Sequence, residues 1–227
     1  NLGFAAANNQ AAERAHGKYL LLLNSDTVLP QDSLEGMIDH AETVENFGAL
    51  SPRLANMDGS TQAQGSALSS WIYNAVAPRA VSFISGACFL IERDRYLSMD
   101  GFDEALFFYN EDLDLCKRLR KAGRQLIYFP KYTVYHHGGA SSLGSSLSVE
   151  GYCGSIYLSK KYYGLLGQII YRALIALYIF PLCMICAGLR FIIPNIKASY
   201  ENYKKISSMI LSGSRCIGCL ERANAYA

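Results

Sequence analysis

The chain has 227 residues, 51% of them hydrophobic and 18% charged, and 21 Lys and Arg against 19 Asp and Glu leave a net charge of +2. That balance excludes a disordered tail, a collagen-like fibre and a polybasic nucleic-acid arm, so no nucleic-acid partner is expected. A charged fraction below the usual value of about 25%, with a mean hydropathy of +0.09, points to a large core or to apolar surface that meets a membrane.

The first residues, Asn1-Leu2-Gly3-Phe4, lack the charged and apolar regions of a signal peptide, and the chain reads as a fragment or processed piece. Phe4 to His16 is Ala-rich and stops at Gly17, which predicts a short helix. The apolar run Lys18 to Leu23 predicts a fully buried strand of a parallel sheet, with the polar cluster Asn24-Ser25-Asp26-Thr27 at its C-terminal end. Ligands of open α/β sheets bind at such ends. A helix follows from about Gln31 to Asn46, with Leu34, Met37, Ile38 and Ala41 at helical spacing. Gly48 to Leu54 predicts a strand and Asn56-Met57-Asp58-Gly59 a turn, while Ser60 to Arg79 reads as a mobile loop. Ser82 to Glu92 predicts a buried strand interrupted at Gly86, where a glycine suggests a bulge or close approach to a ligand.

Asp112 to Ala122 is a helix stopped by Gly123, with Leu115, Cys116 and Leu119 on one face. Leu126 to Phe129 and Thr133 to His136 are predicted as two short strands around Pro130. From Ala173 to Leu189 about 17 residues carry no charge, with Arg172 and Arg190 at either end and Pro181 in the middle, and an amphipathic helix follows Pro194 to Leu211. Basic residues on both sides of the run, Lys160, Lys161 and Arg172 before it and Arg190, Lys197, Lys204 and Lys205 after, argue against a single positive-inside span. Pro181 supports a kinked helix or hairpin that enters and leaves on one membrane face, with a spanning helix and a buried core helix as the alternatives. Seven scattered cysteines, Cys88, Cys116, Cys153, Cys183, Cys186, Cys216 and Cys219, read as packed free thiols; a split zinc site from the two C-x-x-C pairs fits less well.

The chemistry-bearing stretch is Gly101 to Cys116, where aromatic residues precede the carboxylates Glu111, Asp112 and Asp114 at the start of a helix. These acids suit the positive end of a helix dipole; alternatively, an apolar wall and a neighbouring acid raise one carboxylate into the range of a general base. Asp26, two residues after Asn24, could offer an oxygen to a hard divalent cation or simply end a strand in a turn. His136 and His137, before Gly138-Gly139, could supply an imidazole ligand.

At these residues the sequence resembles the GT-A fold glycosyltransferases of family two, in particular the bacterial rhamnosyltransferase-like branch. The matching pieces are Asn1 to Ala5 with Asn8 or Asn9, Tyr19 to Thr27, Ser85 to Cys88, Gly101 to Glu104 through Asn110 to Cys116, and Val134 to Ser141. Their order and spacing cover roughly the first 165 residues. The resemblance implies an α/β fold with a mixed sheet and flanking helices: a partial catalytic domain over 1–164, a membrane-associated helical region over 165–211 and a flexible tail over 212–227. It also implies a nucleotide-diphosphate sugar donor, a glycan or lipid-linked acceptor, a divalent cation (Mg2+ or Mn2+) and inverting transfer, with rhamnose as the sugar. Asp26 and His136 would hold the metal, with His137 the less favoured alternative, and Asn24 would replace the first acid of the family's D-x-D. Asp112 would be the general base with Glu111 supporting it, and Gly86, Ala87 and Asn8 would border donor or acceptor. The expected location is the cytoplasmic face of the bacterial inner membrane. The family's opening strand, helix and base-reading strand do not precede Asn1, so these residues alone are expected to bind a nucleotide sugar poorly. A membrane-attached, non-catalytic remnant or scaffold is the alternative, and a metal-dependent nucleotidyltransferase fits less well.

Overall fold

The computed structural model describes residues 2–62, 64, 67–137, 146–193 and 196–212. The chain divides into a sheet unit, Ala5–Asp103 with Glu111–Ser141, and a helical unit, Asn1–Phe4 with Glu104–Asn110 and Ser142–Ala227.

The sheet unit runs α1 (Phe4–Arg14), β1 (Tyr19–Leu23), β2 (Thr27–Val28), α2 (Ser33–Thr43), β3 (Phe47–Ala55), a 3-10 helix (Ala67–Asn74), β4 (Arg79–Val81), β5 (Cys88–Glu92), α3 (Arg93–Ser98), α4 (Glu111–Lys121) and β6 (Gln125–His136). The strands form one mixed sheet in the order β1-β5-β3-β6-β2, with β4 also on β6. Among the described residues only β3 and β6 pair in parallel; β1–β5, β3–β5, β2–β6 and β4–β6 are antiparallel. The parallel, fully buried strand expected at 18–23 is therefore corrected. Tyr19–Leu23 runs antiparallel to β5, and its side chains alternate, Leu20 and Leu22 buried while Leu23 is exposed. Alternation of this kind is what a strand packed hard on one face produces.

Met37 and Ala41 of α2 pack on Phe47, Leu50, Leu90, Ile127 and Phe129. Further along the same strands, Leu54, Ala87, Cys88 and Val134 form a second cluster toward the end where β1 finishes. The two strands expected around Pro130 are one, β6, whose pairing with β3 shifts register between Pro52 and Arg53, opposite Phe129 and Thr133. A proline has no N–H for the ladder, so the irregularity falls beside it. The strand expected from Ser82 begins only at Cys88, because Gly86 and Ala87 make a turn. The loop expected from Ser60 also acquires order: Thr61 bridges back to Ala55, and a 3-10 helix precedes β4.

In the helical unit, α5 (Ser146–Leu189) and α6 (Ile196–Ser212) pack through Val149, Cys153, Ile156, Ile175 and Ile179 against Ile206, Met209 and Ile210. Asn110 Nδ2 ties the 104–110 segment to α5 by donating to the Gly151 carbonyl at 3.0 Å. The bend expected at Pro181 lies instead at Gly164, with φ 70° and ψ −168°, and the backbone continues helical through Pro181. A positive φ is accessible to glycine without a Cβ clash, whereas a proline in a helix sacrifices one hydrogen bond and can be carried along. α5 is long and apolar enough to cross a membrane: its most apolar stretch has a mean hydropathy of 2.1 and is only 17% buried within the protein. Cys216, Cys219, Gly138, Gly139 and the tail from 213 lie outside the described residues, so the second C-x-x-C pair does too.

Candidate active site

β1 delivers Asn24 and Asp26 to its C-terminal end, and a short turn folds the chain into β2. The Asn24 carbonyl closes that turn by accepting from the Thr27 hydroxyl at 2.6 Å and the Thr27 amide at 3.2 Å. β2 then pairs antiparallel with the end of β6, Thr27 opposite His136. The His137 amide donates to the Asp26 carbonyl at 2.9 Å. This register brings together residues 110 positions apart. His136 Nε2 lies 3.2 Å from Asp26 Oδ1 and 3.2 Å from Asn24 Nδ2, and the Asp26 and His136 side chains are each 15% exposed. His137 contributes its backbone and is exposed, as strand alternation requires of the neighbour of an inward side chain.

The other ring nitrogen, His136 Nδ1, sits 2.7 Å from Gln62 Oε1. An amide oxygen only accepts, so Nδ1 is the donor of this bond, and in the neutral form of the ring Nε2 is then the nitrogen with the lone pair. In that form Nε2 accepts from Asn24 Nδ2 and lies beside the Asp26 carboxylate oxygen, and a cation bound between Nε2 and Oδ1 would take over that lone pair. Adjacent ligands of an octahedral cation with bonds of about 2.1 Å are about 3 Å apart, close to the separation present. The residues fit a divalent ion. Among the described residues no third His, Cys, Asp or Glu joins them. Remaining positions would fall to water or substrate oxygens, as is usual for Mg2+.

Asp112 stands on the first turn of α4. Its Oδ2 accepts from the Gly86 amide at 2.9 Å and its Oδ1 from the Leu113 amide at 2.8 Å. Ala87, next to Gly86, accepts from the Asn24 amide at 3.0 Å. The Gly86-Ala87 turn therefore spans from Asp112 to the strand end that carries Asn24 and Asp26. Burial raises Asp112 above the ordinary carboxylate range against the pull of these amides. Glu111, only 6% exposed, is pushed up to about 8 by burial and then by the Asp112 charge, and its Oε2 has no hydrogen-bond partner. A neighbour held neutral removes one negative charge from the helix start. Asp114 is fully buried and paired to Arg118 at 2.7 Å.

Asn8 lies half-buried on α1, but it is Asn9 that anchors the loop before α4. Asn9 Nδ2 donates to the Phe102 carbonyl at 2.9 Å, and its Oδ1 accepts from the Tyr96 hydroxyl at 2.6 Å and the Phe102 amide at 2.9 Å. Gly101 makes room for this clamp: at φ +59° a Cβ there would lie 2.3 Å from Asn9 Oδ1. Gln62 is the site residue that sequence reasoning missed. Its signal was the Asn56–Gly59 turn, which returns the chain along β3 and so toward the neighbouring end of β6.

A family model described as "Glycosyl transferase family group 2" matches residues 19–196. The N-acetylglucosaminyl-diphospho-decaprenol L-rhamnosyltransferase of Mycobacterium tuberculosis is 28% identical over 177 residues, 63% of this chain and 58% of that protein. The O-antigen biosynthesis protein RfbC of Myxococcus xanthus is 24% identical over 194 residues, 74% of this chain and 15% of that protein. The chain thus spans little more than half the length of the first of these relatives. In fold it is similar to the Pyrobaculum calidifontis mannosyltransferase PcManGT, solved in complex with GDP-Man and Mn2+. The TM-score is 0.50 at 15% identity, over 93% of this chain and 67% of that one. The mixed sheet with flanking helices is accordingly GT-A-like, and with the family model matching most of its length the chain belongs to glycosyl transferase family group 2.

Proposed function

We propose that the protein transfers a sugar, rhamnose by the names of its relatives, from a nucleotide-diphosphate donor to a glycan or lipid-linked acceptor, with inversion at the anomeric carbon. The observation that carries this reading is the meeting of Asp26 and His136 at 3.2 Å, beside the turn that holds Asp112. In the transfer, the acceptor hydroxyl oxygen bonds to the anomeric carbon from one face while the bond to the diphosphate breaks on the other. The hydroxyl proton passes to the Asp112 carboxylate, whose raised proton affinity suits that task. Glu111, neutral at its side, limits the negative charge the site must carry. Gly86 and Ala87 border the acceptor, and Asn24 and Asn8 the donor side. Asp26 and His136 hold a divalent ion, Mg2+ or Mn2+, which when bound stabilises charge on the departing diphosphate.

The lipid-linked acceptor is supported by the decaprenol named for the mycobacterial relative and by the apolar surface of α5. On this helix Leu166, Leu177, Met184 and Ile185 are each well exposed, an arrangement suited to acyl chains rather than water. The protein would sit on the cytoplasmic face of a bacterial inner membrane, where activated sugars and lipid-linked glycans meet.

The test uses the complete native protein in membranes, supplied with candidate nucleotide-diphosphate sugars and a lipid-linked saccharide, with the product read by mass spectrometry. A metal-dependent gain of one sugar, abolished in Asp112→Asn, supports the reading. Transfer at the wild-type rate in Asp112→Asn and in Asp26→Asn overturns it. Carbonate extraction that releases the protein into the supernatant would count against membrane attachment.

A further inference from the structure

We infer that Gln62 is a positioning residue for His136, the last link of a one-directional hydrogen-bond chain that starts at Asp58 and holds the imidazole as its Nδ1–H tautomer. The functional consequence rests on the reading of Asp26 and His136 as cation ligands; the tautomer itself does not.

The chain consists of four bonds beyond the histidine. Asp58 Oδ1 accepts from the Ser60 hydroxyl at 2.6 Å and from the Ser60 amide at 2.9 Å. The Ser60 oxygen accepts from Asn56 Nδ2 at 2.9 Å, and Asn56 Oδ1 accepts from Gln62 Nε2 at 3.1 Å. Gln62 Oε1 then faces His136 Nδ1 at 2.7 Å. Each intermediate group has a donor and an acceptor end, so one fixed end sets the polarity of all of them. Asp58 is that end. The two Ser60 donors hold its carboxyl below the ordinary range, so it is ionised at neutral pH and can only accept.

Reversing the chain shows why the direction holds. A Gln62 turned to donate to Nδ1 would present its oxygen to Asn56, which would have to turn its own oxygen toward Ser60. The single Ser60 hydroxyl proton would then go to Asn56 and leave two oxygen lone pairs facing each other at 2.6 Å between Ser60 and Asp58. At the other end, Asn24 Nδ2 at 3.2 Å from Nε2 is a donor meeting a lone pair, in keeping with the same direction. Outer partners of this type commonly fix the tautomer of a ligating histidine.

Without the acceptor at Nδ1, the proton has a competing place on Nε2, where Asp26 Oδ1 lies 3.2 Å away. That shift would occupy the lone pair that a cation needs. The chain also explains why the polar turn at 56–60 and the return through Thr61 lie beside the site rather than in open loop.

The experiment is two-bond 1H–15N correlation spectroscopy of the full chain in detergent micelles. The histidines are 15N-labelled, no metal is present, and the pH is above the imidazole range. The chain has four histidines, and His136→Gln identifies the signal. We expect Nδ1–H in the wild type, a shift toward Nε2–H in Gln62→Leu, and retention of Nδ1–H in Gln62→Glu, which keeps an acceptor in place. A merely structural role would affect both variants alike. Titration with Mn2+ alone should weaken about 10- to 100-fold in Gln62→Leu and stay near wild type in Gln62→Glu. An Nε2–H wild type, or Nδ1–H persisting in Gln62→Leu, overturns the inference. If the tautomer moves as expected but wild-type protein binds no Mn2+, the hydrogen-bond chain is supported and the cation reading of Asp26 and His136 falls.

Discussion

The Gly86 amide donates to Asp112 Oδ2 at 2.9 Å, and this bond joins the start of α4 to the turn that enters β5. One residue later the Ala87 carbonyl accepts from the Asn24 amide, so two consecutive residues connect Asp112 to the strand end carrying Asp26. A Cβ on Gly86 would meet Asp112 Cβ at 3.5 Å, ordinary contact, so the glycine is not demanded by Asp112 itself. What it leaves open is the space beside the carboxylate, where the proposed function would bring an acceptor hydroxyl.

Asp112→Asn separates the role of the carboxylate from that of the bond. The asparagine oxygen can still accept from Gly86, so the turn keeps its anchor, while the exposed bond from the Leu113 amide is lost and the side chain can no longer take a proton. Transfer by the complete protein should fall about 10²- to 10⁴-fold with KM for the donor little changed. Burial makes the native carboxylate unfavourable in the fold, so the thermal midpoint should stay level or rise. A rate loss accompanied by a collapsed melting transition would point to structure instead.

Glu111 sets a pH dependence of stability. Its ordinary value of 4.5 rises to about 8 in the folded protein, chiefly through burial. The folded state therefore holds a proton that the unfolded state has lost over the range from about 4.5 to about 8. Stability is fully present below that range and declines as pH rises through it, by at most about 1.4 kcal/mol per pH unit. Glu111→Gln keeps the shape without the titration, so a plot of melting temperature against pH should be flatter for the variant than for the wild type.

Local elements were legible in the sequence because their signals are local. Gly123 at φ 76° stops α4 as expected, and the Asn56–Gly59 turn forms where its residue types place it. The direction of β1 was not, since Leu20 to Leu23 reads the same whether its neighbour runs parallel or antiparallel. Asn24, Asp26, Asp112 and His136 were each recognisable by type and position, yet nothing local brings Asp26 to His136. That meeting depends on β2, two residues long, pairing with the far end of β6. Gln62 was harder to place for the same reason: the Asn56–Gly59 turn marks the return of the chain, but the glutamine reaches His136 only because β3 and β6 align in parallel beside it.

Removing either member of the 3.2 Å pair should act on metal binding before it acts on fold. Asp26→Asn keeps size and loses charge; His136→Gln keeps a polar group near Gln62 but no imidazole lone pair. Each should weaken Mn2+ binding, measured by calorimetry on the full chain, by about tenfold or more. Their combination should weaken binding at least as much as the more damaging single change, and, because the two side chains touch, by an amount that departs from the sum of the two.

Arg118 carries a structural load beneath the site. It pairs with the fully buried Asp114 at 2.7 Å and donates to the carbonyls of Met99 and Gly101, fixing the loop that leads into the Gly101-Phe102-Asp103 segment. Taking the arginine away leaves a core carboxylate without its Arg118 partner and two carbonyls without that donor. Arg118→Met should therefore destabilise the sheet unit by about 3–5 kcal/mol in denaturant unfolding. Asp114→Asn in the same chain removes the stranded charge, so the double variant should recover part of that loss. An equal loss in the single and double variants would mean that the carbonyl bonds, not the ion pair, dominate.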